Sequence, residues 1–145
     1  MVFHKFEGPG LRYEVAVSIY TGVICWVNGP FPCRSWPDSN IARDSLHCML
    51  DENERYVADQ GYRACRPIAI TPTGLGRFID KRLGSLRARH ENINRRLKEL
   101  AILQQKFRHS LEKHGTVFRA VANITNLKLK TECPLYRIDF NETDI

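Results

Sequence analysis

Two acidic residues sit where chemistry could be done. Asp59 follows the apolar run Tyr56-Val57-Ala58 and precedes Gln60-Gly61-Tyr62, so it stands where a short buried strand ends. Carboxylates at strand ends face the open crevice of an α/β sheet. A solvated turn aspartate before a glycine is the commoner use of such a residue. Glu91 lies within the segment from Arg87 to Lys98, RARHENINRRLK. By helical geometry it falls about 200° round from Ile93, off the apolar stripe and near Arg87, Asn94, Arg95 and Lys98. Ordinary i,i+4 pairing with Arg87 and Arg95 would explain it, at a few tenths of a kcal/mol per pair. One acid ringed by phosphate-binding side chains is also what a metal-dependent phosphodiester site needs.

Other chemistries find no support in the residue pattern. His4, His47, His90, His109 and His114 make no HxxxH or HExxH spacing, so the tetrahedral ligand sets of zinc are not offered. The five cysteines form no CxxC pair and are odd in number, which argues against a disulfide framework and for reduced thiols. There is no Walker-type phosphate loop, and no Ser-His-Asp or Cys-His constellation can be argued. The sequons at Asn123 and Asn141 are read as accidental, because MVFHKFEGPG has no secretory pattern.

The elements that must position Asp59 and Glu91 can be read from periodicity. RYEVAVSI at 12–19 and VICWV at 23–27 flank a turn at Gly22 and predict a β-hairpin. The prolines of Asn28-Gly29-Pro30-Phe31-Pro32 predict a loop. Asp38 or Ser39 is a good N-cap for a short helix over 39–51. A brief strand at 56–58 and a loop over 63–76 follow, with a second short strand at 68–70. A long helix starts near Phe78 or Ser85, its stripe running through Leu86, His90, Ile93, Leu97, Leu100, Ile102/Leu103 and Phe107. Gly115 is expected to break it. Thr116 would cap a second helix with Val117, Val121, Ile124 and Leu127 on its inner face. Residues 134–140 could add an edge strand. Two strands alone make a poor sheet, so a third strand is wanted on the N-terminal side.

The 145 residues are 43% hydrophobic and 26% charged, which suits one soluble globular domain spanning 1–145 and excludes wholesale disorder. No apolar run approaches the roughly 20 residues a bilayer requires, so no membrane partner is expected. The net charge is +6. Residues 77–113 hold 11 cations and 4 anions, so that window carries +7 and the rest of the chain −1. The basic character belongs to one segment, which is either a polyanion contact or a solvated helix face.

Several segments together resemble a known family. HKFEGPGLRYEVAVSIYTGVICWVNGPFPC, WPD, the GYR that follows ADQ, RARHENINRRLKEL and the terminal FRHSLEKHGTVFRAVANITNL…PLYRIDF are similar to the DDE-superfamily endonuclease domain of transposases. They resemble most the PIF/Harbinger type. The resemblance covers about residues 3–140 and rests on the shared order of short motifs.

It implies an α/β, ribonuclease-H-like mixed sheet flanked by helices. Three converging acids would hold two Mg²⁺ or Mn²⁺ ions for DNA phosphodiester cleavage and strand transfer. Asp59 matches the second acid and Glu91 the third, both catalytic and metal-binding. Arg87-x3-Glu91-x6-Lys98 looks like the signature of related insertion-sequence transposases, whose Lys contacts DNA phosphate; the signature's tyrosine position is Gly84 here. Arg87, Arg95, Arg96 and Lys98 are the expected DNA-binding residues. Asp38 matches a family position outside the three acids.

The family's first acid lies on a strand upstream of the HKF segment, where this sequence starts. The expectation is therefore a domain lacking its first strand and that bridging carboxylate, with weak metal binding and little activity. The alternative is a non-catalytic nucleic-acid-binding remnant. DNA is the expected partner, a separate DNA-binding protein is usual for the family, and the location would be nuclear or cytoplasmic.

Overall fold

A computed structural model describes residues 10–32, 36–72 and 77–138. It is a mixed α/β arrangement of small sheets and several helices. Strands β1 (Leu11–Val17) and β2 (Ile24–Pro32) form the antiparallel hairpin. Helix α1 (Asp38–Asp44) follows, then a 3₁₀ turn at Leu46–Met49. Strand β3 (Tyr56–Val57), a 3₁₀ turn at Gln60–Cys65 and strand β4 (Ala69–Ile70) come next. Helices α2 (Arg77–Glu99), α3 (Ala101–Gln104) and α4 (Leu111–Thr131) follow. Among the described residues, β1–β2 and the parallel pair β3–β4 are two separate two-stranded sheets.

The main core lies between the hairpin and the helices. Tyr13, Val15 and Ile24 pack with Ile93 and Leu97 of α2, Leu103 of α3, and Phe118, Val121, Ala122 and Leu129 of α4. The Tyr13 and Phe118 rings stack at 3.8 Å, and the Tyr13 hydroxyl lies 2.6 Å from His114 Nδ1. The other face of β1 is buried too. Glu14 is 3% exposed, and its Oε2 accepts the Trp26 indole N–H at 2.9 Å. Buried Arg89 of α2 donates to Ile19 O at the hairpin turn, and His90 Nε2 donates to Val15 O at 3.1 Å. A second, smaller cluster gathers Ala42, Ala58, Tyr62, Cys65 and Ala69 beneath β3 and β4.

Several sequence expectations are corrected. The 28–32 loop is strand: Pro32 pairs with Leu11 and Phe31 with Arg12, after a register shift opposite Tyr13. The prolines are tolerated because, among the described residues, β2 has a strand neighbour on one side only. The helix expected over 39–51 ends at Asp44. Ser45 Oγ lies 2.6 Å from Ile41 O and 3.0 Å from Glu14 Oε2, and the chain tightens into 3₁₀ there.

The long helix stops at Glu99, because Leu100 is extended (φ −78°, ψ 116°). Gly115 does not break a helix. It lies buried inside α4, whose cap is Ser110, which accepts from Lys113 N. A Cβ at Gly115 would stand 3.1 Å from Pro30 Cδ, so glycine there lets α4 approach β2. The inner face of α4 is Phe118, Val121, Ala122, Thr125 and Leu129, while Ile124 and Leu127 are exposed. Residues 134–138 are not strand; 139 and 140 lie outside the described residues.

Candidate active-site cleft

Asp59 is held by local backbone chemistry. The Tyr56 and Ala58 amides donate to Ile68 O and Ile70 O, which fixes β3 beside β4 up to residue 58. Asp59 then caps the following 3₁₀ turn, its Oδ1 accepting from Gly61 N at 2.8 Å. A Cβ on Gly61 would stand 2.9 Å from that Oδ1. The glycine thus allows the tight Asx turn that aims the carboxylate outward.

A second carboxylate meets it. Asp38 is the first residue of α1, where Pro37 is the N-cap and no side chain caps the helix. The capping role expected for Asp38 or Ser39 is therefore not filled; Asp38 is instead paired with Arg12 of β1, Nη1 to Oδ1 at 2.9 Å. Its Oδ2 and Asp59 Oδ1 both lie within 4 Å of the point where a Gly61 Cβ would be. Burial pushes the Asp38 carboxyl up to about 6. The Arg12 guanidinium opposes that rise, and the charges of Asp59 and Glu14 reinforce it.

The two acids share a cleft of about 520 Å³ lined by Asp38, Asp59, Gln60, Gly61, Pro72 and Arg87. Arg87 brings the basic helix to the carboxylates. Glu91 lies one turn further along α2, exposed, and is not in the lining of the cleft. Arg95 is exposed and Lys98 half-buried. Steps of four, four and three along α2 put Arg87, Glu91, Arg95 and Lys98 on one side. Arg96 is committed elsewhere: its Nε donates to Asn92 Oδ1 at 2.9 Å, and it also bonds Cys133 O.

Of the sequence-derived residues, the structure brings Asp59 and Arg87 together in the cleft. Two participants were missed as site residues. Asp38 was visible as a helix-start residue and as a family position outside the three acids, and Arg12 only as the first residue of an alternating strand.

The sequence model of the DDE superfamily endonucleases matches residues 9–126. The chain belongs to the DDE superfamily endonucleases. No curated protein and no solved structure matches it. The matched span holds β1 through most of α4, and so every residue of the cleft. DDE endonucleases generally use divalent metal ions.

The donor set can be tested against that requirement. Two carboxylates are hard oxygen donors, and Mg²⁺ is often held by one or two carboxylates with waters and substrate phosphates. Among the described residues, no group of three His, Cys, Asp or Glu side chains is placed to share an ion. The residues fit one weakly held hard cation and do not fit a two-metal centre. Among the described residues, no helix is long and apolar enough to cross a membrane.

Proposed function

We propose that this DDE endonuclease domain is transposon-derived, of PIF/Harbinger type. Its ancestral reaction is metal-dependent cleavage and strand transfer of DNA phosphodiesters. In this chain it binds DNA and cuts it poorly. The observation that carries the reading is Arg87 lining one cleft with Asp59: a guanidinium suited to phosphate beside a carboxylate suited to a cation. Mg²⁺ or Mn²⁺ held at Asp59, with Glu91 one helical turn along α2 from Arg87, would polarise a phosphoryl oxygen. Arg87 would orient that phosphate through bidentate N–H donors.

A ribonuclease-H-like arrangement is the finer reading of a mixed α/β domain with small sheets and several helices. Low activity is supported by a site with too few converging acids among the described residues. That same observation favours the second reading, a non-catalytic nucleic-acid-binding remnant acting in the nucleus or cytoplasm.

Plasmid cleavage with Mg²⁺ or Mn²⁺, beside duplex binding over a salt series, tests both parts. Cleavage should be negligible. With about five phosphate contacts, the log–log salt slope of binding should be near −4.5. Replacing Arg87, Arg95 and Lys98 with Ala should flatten it by up to about 3, and Arg96→Ala should matter least. Robust cleavage abolished by Asp59→Asn would show that another carboxylate completes the site. A flat salt response would remove DNA as the partner.

A further inference from the structure

We propose that Trp36 is a nucleobase-stacking residue at the rim of the cleft, so that this site prefers DNA with an unpaired strand. The proposal rests on the nuclease-derived reading above and adds a substrate form to it.

Trp36 lies two residues before Asp38. Its carbonyl oxygen accepts from Arg12 Nη1 at 2.6 Å, and the same nitrogen pairs with Asp38 Oδ1 at 2.9 Å. The tryptophan backbone is therefore fastened to the ion pair in the cleft wall. The residue is 38% exposed. Phe31 of β2 stands against it, ring centres 5.7 Å apart and tilted by 44°. Phe31 restrains the indole from one direction, and the residue stays exposed to solvent.

The other tryptophan shows what a structural role looks like in this fold. The Trp26 N–H is used on buried Glu14, and its ring is less exposed. Trp36 instead keeps an aromatic surface in water on the segment that carries Asp38, one of the two carboxylates lining the cleft.

A strand whose phosphate is drawn to Arg87 would bring its neighbouring base to this rim. A base inside a duplex is already stacked on both faces, whereas an unpaired base has a face to offer. Aromatic stacking of unpaired bases is insensitive to sequence, so the preference would be for strand form rather than base identity.

Fluorescence anisotropy with a labelled single-stranded oligonucleotide, its duplex and an abasic version of the single strand tests this. Trp36→Ala should weaken single-strand binding about fivefold or more and leave duplex binding unchanged. Trp36→Phe should retain most of the affinity. The abasic strand should bind wild type and Trp36→Ala alike. Thermal melts establish that both variants fold. Unchanged single-strand binding in Trp36→Ala would overturn the proposal, as would an equal loss for both DNA forms. Salt-sensitive duplex binding surviving beside either result would leave the nuclease-derived reading standing. No binding of any DNA by the wild type would overturn both.

Discussion

The hairpin–helix half and the cleft half of this molecule are held by different kinds of interaction. In the first, long elements bury large side chains: seven- and nine-residue strands against helices of 23 and 21 residues. In the second, β3 and β4 have two residues each, and Asp59 is aimed by one hydrogen bond to Gly61 N. The larger apolar burial is in the first half, and the proposed site is in the second. A functional carboxylate needs a short, polar, solvent-facing turn, and such a turn contributes little apolar burial. The difference teaches that the two halves should respond oppositely to substitution.

The largest contrast should come from the core. Phe118 is 1% exposed and stacked on Tyr13. Phe118→Ala should cost about 3–5 kcal/mol, by loss of transfer free energy and the cavity left behind. Urea unfolding measures this, and a cost near zero would dissolve the distinction between the halves.

A smaller effect, of opposite sign at neutral pH, is expected at Asp38. Its folded pKa is raised to about 6 from 3.8, so the folded state holds the proton more tightly than the unfolded one. Stability should therefore fall as pH rises from about 4 to 6, and the cost should be fully present above that range. Solvent screening of this half-buried group limits it to about 1–2 kcal/mol. Asp38→Asn should remove that slope and be no less stable than wild type at pH 7, although it gives up the Arg12 pair. Chemical denaturation at pH 4, 5, 6 and 7 reads the effect. A slope that survives in Asp38→Asn would assign it to another group.

The smallest effect on folding should be at the cleft's own acid. Asp59→Asn keeps an oxygen acceptor for Gly61 N and should cost less than about 0.5 kcal/mol. A loss comparable to that of Phe118→Ala would mean that Asp59 is part of the scaffold rather than of the site.

What the sequence disclosed follows the same division. The hairpin, the long helix and the strand-end place of Asp59 were legible because each is signalled within about ten residues, by alternation, by a 3.6 period, or by an apolar run ending at Asp-Gln-Gly. What failed depended on distant partners. Gly115 reads as a breaker until Pro30 is known to press on it. The helix stop at Leu100 is hidden because the apolar pattern continues past it to Leu103. The outward turn of Ile124 and Leu127 is hidden because Thr125, a polar residue, takes a buried place in α4. At the site, Asp38 joins Asp59 only through folding of segments 21 residues apart, with Arg12 brought in from β1.

Divalent-cation binding to wild type and Asp59→Asn tests the cleft most directly. Mn²⁺ titration followed by electron paramagnetic resonance reads the free ion without requiring any turnover. The cleft as described predicts weak Mn²⁺ binding by wild type, reduced at least about tenfold in Asp59→Asn, or about 1.4 kcal/mol, with the thermal melt of the variant unchanged. Equal Mn²⁺ binding by the two proteins would contradict it and move the candidate site away from Asp59.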